Sequence, residues 1–224
     1  LDSIQITNPY KTKKYLDILT QLISFSSVKD QSIYLQITRG ADTQRKHIFD
    51  ALIPTIYIES NPLISKTKQE LSKGFSAISA QDIRWSRCDI KSISLLANIL
   101  YAQDAKKHNV EEVILHRNNQ ITEGATSNVF MLKDNALFTH PTSNHILSGI
   151  TRDLVLESAH ACGLKIQETS FSLDDVFASD ELWISSSTRE IMPITMLDNK
   201  LINQGKVSAT WQCVYKHYQQ LKND

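Results

Sequence analysis

No stretch of this 224-residue chain approaches the ~18 consecutive apolar residues of a membrane span, and no leader pattern opens it. An excess of charge of one sign is lacking too. Lys plus Arg and Asp plus Glu both number 24, so the formal charge is zero and there is no basic footprint for nucleic acid or an anionic membrane. Glycine is scarce, at six residues, and neither the P-loop nor the dinucleotide glycine signature occurs, which excludes those nucleotide folds. Cysteine is limited to Cys88, Cys162 and Cys213, odd in number, far apart and without metal spacing; reduced thiols are expected rather than a disulfide frame or a zinc site. These absences predict a soluble, cytoplasmic protein with neither nucleic acid nor membrane as partner. What is present, 41% hydrophobic residues, suffices to bury the core of one or two domains. The chain opens on Leu1 rather than Met, and an N-terminal stretch preceding it is expected.

Tyr15, Leu16, Leu19, Leu22 and Ile23 recur at three- and four-residue steps and predict an amphipathic helix over residues 11–24. Ile33 to Thr38 is β-branched and aromatic, a strand ending at Arg39-Gly40; residues 56–59 and 75–78 read as further strands, and residues 83–90 alternate in a strand-like way. After Lys91, Leu95, Leu96, Ile99 and Leu100 predict a helix reaching about Lys107. Residues 113–116 and 120–123 flank Arg117-Asn118-Asn119, and residues 129–132 and 136–139 flank Asp134-Asn135, both with hairpin turn chemistry. A second amphipathic helix opens at Thr151, with Leu154, Val155, Ala159 and Cys162 on one face and Gly163 as its stop. Residues 181–185 form a short buried strand and residues 207–221 a terminal helix. Helices and antiparallel strands fall in separate blocks, so the expected fold class is α+β.

Four positions carry candidate chemistry. Lys91 lies between a strand-like segment and a helix start; on residue type it reads as a solvated lysine. The positive end of a helix dipole disfavours an ammonium there, however, and a neutral amine is what a Schiff-base lysine requires. Gly149-Ile150-Thr151 precedes a helix whose first N–H groups make an anion site, with Thr151 equally readable as an N-cap. Ser185-Ser186-Ser187-Thr188 follows a buried strand, as a ligand loop or a plain polar one. Glu123, in Thr122-Glu123-Gly124, is a lone acid at the mouth of an apolar strand, as a cofactor partner or a carboxylate satisfied by backbone N–H groups. Together an amine, two phosphate-type sites and a carboxylate suit pyridoxal 5′-phosphate, which presents an aldehyde, a phosphate and a basic ring nitrogen.

Asp82-Ile83-Arg84-Trp85, Arg87-Cys88-Asp89-Ile90-Lys91-Ser92, Ile114-Leu115-His116-Arg117, Thr122-Glu123-Gly124 with Ser127-Asn128-Val129-Phe130, and Gly149-Ile150-Thr151-Arg152 resemble the D-amino acid (D-alanine) aminotransferases. These are fold type IV pyridoxal-phosphate enzymes, alongside branched-chain aminotransferases and aminodeoxychorismate lyases. The resemblance implies transamination between a D-amino acid such as D-alanine and a 2-oxo acid such as 2-oxoglutarate, by a homodimer. It implies that Lys91 is the Schiff-base lysine and proton carrier and that Glu123 binds the pyridine nitrogen. Thr126 and Ser127 would line the cofactor; Ile150, Thr151, Ser186 and Ser187 would contact its phosphate; Leu147 would pack on its ring, with Arg84 in support. Arg45 and His47, otherwise a basic surface loop, would capture the substrate carboxylate, the feature that favours a transaminase over the lyase. A degenerate, non-catalytic relative is the alternative of another class, against which Lys91 and Glu123 both speak. The same resemblance makes residues 1–80 the remainder of an N-terminal α/β lobe and 81–224 the cofactor domain. The part of that lobe with an arginine for the phosphate and a substrate-side tyrosine would lie outside the chain. Arg189 stands where some relatives carry a small polar residue.

Overall fold

The computed structural model describes residues 1–223, which fall into two compact units, Leu1–Ser65 and the residues from Lys66 onward. In the first unit, helix α1 (Thr12–Ser24) precedes an antiparallel hairpin of β1 (Gln31–Thr38) and β2 (Thr55–Pro62), in register from Gln31 opposite Pro62 to Thr38 opposite Thr55. The Arg39 guanidinium sits 3.5 Å over the Phe49 ring and donates to the carbonyl of Gln5, tying the start of the chain to the hairpin loop.

The second unit contains α2 (Lys68–Leu71), β3 (Phe75–Gln81), α3 (Leu96–Lys107), β4 (Glu112–Arg117), β5 (Gln120–Gly124), β6 (Asn128–Lys133), β7 (Ala136–Thr139) and α4 (Ile150–Ala161). It continues through β8 (Lys165–Glu168), α5 (Leu173–Phe177), β9 (Glu181–Ser186), β10 (Glu190–Leu197), β11 (Lys200–Leu201) and α6 (Ala209–Asn223). The strands make one mixed sheet in the order β5-β4-β3-β10-β9-β6-β7-β8, with β11 on β10. β3 runs parallel to β4 and β10, and β7 to β8; the other pairs are antiparallel.

Three hairpins turn on residue pairs that tolerate positive φ: Asn118-Asn119, Asp134-Asn135 and Asp198-Asn199, with φ between 48° and 62°. Both central residues left-handed is the two-residue turn whose twist matches paired strands. In β4 the pleat sends Ile114 into one core cluster and Val113 and Leu115 into another, beside Tyr101 and Ala105 of α3. Covered on both faces, the strand reads as a continuous apolar run. On the first face α4 packs along α6, and Val155, Ala159, Trp211 and Val214 are fully buried.

Several expectations are corrected. Residues 83–90 form turns rather than a strand, because the carbonyls of Arg84 and Trp85 are taken by the Arg117 guanidinium instead of a neighbouring strand. The compact units divide between Ser65 and Lys66, and Phe75–Gln81 is an inner strand of the large sheet. The apolar periodicities of α1 and α3 do mark helices, but α1 buries no residue and Leu95, Leu96, Ile99 and Leu100 are all exposed. Cys162 and Cys213 form a disulfide: 51 residues apart in sequence, they are brought together by the packing of α4 on α6. Cys88 alone is a buried thiol.

Trp211 is fully buried, stacks on Tyr215 at 4.9 Å and donates from Nε1 to the Ile191 carbonyl at 3.3 Å. Trp211→Ala is expected to lower unfolding free energy by ~3–5 kcal/mol in urea denaturation; a loss below about 1 kcal/mol would show that α6 contributes little to the core.

Candidate active site

A cavity of about 290 Å³ opens in the second unit. One wall is the turn segment after β3, carrying Arg84 and Lys91; another is the β5–β6 connection with Glu123; the rest is the start of α4 and the end of β9. Sheet order explains the convergence: β9 lies next to β6, so the serines that end β9 face the residues that open β6, with Ser185 opposite Asn128.

Glu123 is buried at 5% exposure, and both of its oxygens are occupied. Oε1 accepts from Arg84 Nη1 at 2.5 Å; Oε2 accepts from the Leu147 N–H at 3.0 Å and from Asn128 Nδ2 at 3.2 Å. Arg84 is held in turn by Asp82, whose Oδ1 accepts from Arg84 Nε at 3.0 Å and whose Oδ2 accepts from Arg84 Nη2 at 2.8 Å and from Arg117 Nε at 3.0 Å. Burial pushes the Asp82 carboxyl up, but the two guanidinium groups outweigh it and hold it at about 2. For Glu123 the balance is reversed: burial raises the carboxyl to about 7 although Arg84 pulls it down. Asp82, Arg84 and Glu123 thus form a chain of charges ending at the cavity wall, its inner acid firmly ionised and its outer acid poised near neutrality.

Thr126 and Ser127 line the cavity, yet their hydroxyls serve a second acid. Ser127 Oγ donates to Glu112 Oε2 at 2.7 Å, and Thr126 Oγ1 accepts from Arg189 Nη2 at 2.6 Å. Arg189 Nη2 also lies 2.6 Å from Glu112 Oε2. The Arg189 side chain therefore closes a bracket behind these hydroxyls. Gly124 leaves space for it, because a Cβ there would collide with Ser127 Oγ and Glu112.

α4 begins at Ile150 with Gly149 as its N-cap and no side-chain cap, so Thr151 lies inside the first turn and does not cap. Ile150 and Thr151 of that turn line the cavity, and an uncapped first turn is the arrangement that binds an anion. Gly149 is required here, since a Cβ would lie 2.6 Å from Asn128 Oδ1, the acceptor for its own N–H. Ser185 is 1% exposed and lines the same cavity, and its Oγ has no hydrogen-bond partner among the described residues. An orphaned hydroxyl beside an uncapped helix start, a cavity-lining amine and a buried carboxylate fit the phosphate, aldehyde and ring nitrogen of pyridoxal phosphate.

The structure gathers Lys91, Glu123, Leu147, Thr126 and Ser127 around this cavity together with Arg84, Ile150, Thr151, Ser186 and Ser187. Lys91 is exposed and five residues before α3, at the centre of a tight turn in which the Ser92 N–H donates to the Ile90 carbonyl at 2.8 Å, so it does not sit on the first turn of a helix as the sequence suggested. Arg45 and His47 stand in the exposed β1–β2 loop of the first unit, where Lys46 between them bridges Asp42 at 3.3 Å and Asp50 at 2.8 Å. Sequence reasoning missed Ser185 as an individual site residue, Asn128 as the link from Glu123 to Gly149, and Asp82 and Arg117 as the electrostatic support. Asp82 and Asn128 sit inside the motifs that drew attention, but only spatial neighbours reveal their partners.

The model of the amino-transferase class IV family matches residues 1–197. A D-alanine aminotransferase of Listeria monocytogenes is 37% identical over 205 residues, 91% of this chain and 71% of that protein. One of Bacillus licheniformis is 40% identical over 188 residues, covering 84% and 66%. The solved holo-form of a branched-chain amino acid aminotransferase from Thermobaculum terrenum, 18% identical, superposes over 98% of this chain and 73% of its own with a TM-score of 0.86 and shows the same fold.

Without cofactor, Glu123 binds its proton more tightly when folded than when unfolded. Its contribution to stability is therefore fully present below about pH 4.5 and lost as the pH rises through about 7. Asp82 has the opposite sign, contributing above about pH 3.8 and losing that contribution as the pH falls through about 2. Glu123→Gln is expected to flatten the decline of unfolding free energy across the neutral window in the cofactor-free protein. Parallel wild-type and variant profiles would show that another group titrates there.

Proposed function

Because the chain belongs to the class IV aminotransferases, pyridoxal-phosphate enzymes, we propose that it exchanges the amino group between a D-amino acid, D-alanine above all, and a 2-oxo acid such as 2-oxoglutarate. The observation that carries this reading is the convergence on one cavity of Lys91, the buried Glu123 and an uncapped helix start.

In this reading Lys91 anchors the cofactor through Nζ. The same Nζ is the group that would carry a proton to and from the substrate Cα. When bound, pyridoxal phosphate accepts the electron pair left by that proton into its ring. Glu123 keeps the ring nitrogen protonated, an arriving cationic nitrogen favouring the carboxylate that burial alone disfavours. Arg84 fixes the orientation of Glu123 and Asp82 fixes Arg84. The first turn of α4 with Ser185, Ser186 and Ser187 holds the phosphate, and Leu147 packs on the ring. Arg45 and His47 take the substrate carboxylate, the guanidinium fork matching its geometry. The same reading makes the enzyme cytoplasmic and homodimeric, and the uncovered apolar face of α3 supports a second copy as partner.

The full-length protein with D-alanine and 2-oxoglutarate is expected to yield pyruvate and D-glutamate. Borohydride reduction should fix the cofactor on Lys91, and Lys91→Ala should abolish turnover. If the loaded protein leaves D-alanine untouched but releases pyruvate from aminodeoxychorismate, the transaminase reading is wrong. Glu123→Gln is expected to keep the cofactor but slow Cα deprotonation; a wild-type single-turnover rate would make Glu123 structural. Arg45→Ala should weaken D-alanine use by roughly tenfold or more while leaving cofactor affinity unchanged; an unchanged kcat/KM for D-alanine would remove Arg45 from the site.

A further inference from the structure

Away from the cavity, Cys162, Cys213 and His217 each bring a ligand atom to within 4.8 Å of the others, and all three are half-buried and so reachable from solvent. Cys213 and His217 are four residues apart on α6 and share one face of it. Cys162 is the C-cap of α4, where the helix dipole is negative and favours a cation. The Cα atoms of the two cysteines are 6.2 Å apart, a separation that serves a disulfide. The same separation leaves room for two sulfurs at ~2.3 Å from a shared tetrahedral ion. The donor set is two sulfurs and an imidazole with no carboxylate, which selects a thiophilic ion and rejects calcium or magnesium.

We propose that Cys162, Cys213 and His217 form a thiol-gated zinc site, closed as a disulfide when oxidised and binding one zinc ion when reduced. Opening requires a two-electron reductant: a dithiol gives two electrons and two protons, converting the S–S bond into two thiols and leaving as its own disulfide, and a phosphine does the same with one water, leaving as its oxide. Zinc then displaces both thiol protons and binds two thiolates and the neutral imidazole, with the fourth position open to water. Two thiolates neutralise the ion, so a half-buried site does not strand a net charge. Either state links the C-terminal end of α4 to α6. The opposite end of α4, roughly 18 Å away at ~1.5 Å per residue, faces the cofactor cavity, so cofactor binding reports independently on the fold.

The test uses the full-length protein, reduced with a phosphine and titrated with zinc against a chromophoric chelator. One zinc per chain is expected, and cobalt(II) in its place should show a thiolate-to-metal charge-transfer band. Cys162→Ser should lose stoichiometric zinc. His217→Ala and His217→Gln should each weaken it on the order of 10–100-fold, at least the effect of removing a ligand's outer support. Cofactor absorbance and circular dichroism should match the parent in all three variants. The oxidised protein, in which Cys162 and Cys213 stay unreactive to a thiol reagent after denaturation, should bind none. Absence of stoichiometric zinc from fully reduced protein, cobalt binding without the thiolate band, or an affinity unmoved by both His217 substitutions would overturn the proposal.

Discussion

The site rests on one buried chain of charge, Arg117 to Asp82 to Arg84 to Glu123. Asp82, 6% exposed, could not remain ionised at its depth without two guanidinium groups, and Arg84 could not be buried without a carboxylate on each side. Because Asp82 spends both oxygens on Arg84, through Nε and Nη2, the guanidinium plane is fixed and Nη1 points at Glu123. The orientation of the outer acid is thus set by an acid that never touches the cavity. Removing Asp82 would leave Arg84 half-paired and shift the proton balance of Glu123 as well as its position.

The same chain explains the irregular backbone around it. Arg117, at the end of β4, donates to the carbonyls of Arg84 and Trp85, so the segment after β3 is bound by a side chain where a neighbouring strand would otherwise supply N–H groups. That frees residues 83–95 from the sheet and lets them wall the cavity with Lys91 in an exposed tight turn. A lysine in that position is accessible to a ligand, whereas a regular strand would have buried it or turned it outward.

How much of this could be read beforehand depended on the range of the interaction. The asparagine and aspartate pairs at the hairpin tips, the period of α4 and the apolar runs of β4, β6 and β9 are local signals, and the elements stand where those signals put them. Residues 83–90 misled because alternation there reflects two arginines directed inward to Asp82 and outward to Asp89, not a pleat. Leu96, Ile99 and Leu100 gave the right helix and the wrong burial, since periodicity reports an apolar stripe but not what covers it. The cysteines failed for a third reason. Counting and spacing describe neighbours along the chain, and Cys162 meets Cys213 only through the packing of two helices 51 residues apart in sequence.

Glu112 and Glu123 show where sequence reading ends and spatial chemistry begins. Both border apolar strands, both are buried, and each has an arginine at 2.5–2.6 Å. In the sequence Glu112 follows Glu111 whereas Glu123 stands alone, but neither pattern shows what its oxygens meet. Glu112 spends one oxygen on the Val113 N–H and the other on Ser127 and Arg189, and all of these partners belong to the protein's own frame. Glu123 is also bonded on both oxygens, but its second set is the Leu147 N–H and the Asn128 amide at the edge of the cavity it lines, the longer being 3.2 Å. A carboxylate so placed can exchange a weak neutral donor for a stronger cationic one without breaking its ion pair to Arg84, because that pair occupies the other oxygen. Glu112 has no such exchange open to it: the oxygen that faces Ser127 is the one that holds Arg189. The difference between the two acids is therefore how the arginine's oxygen is shared: Glu112 Oε2 holds both Arg189 and Ser127, whereas Glu123 gives Oε1 to Arg84 and leaves Oε2 to two neutral donors.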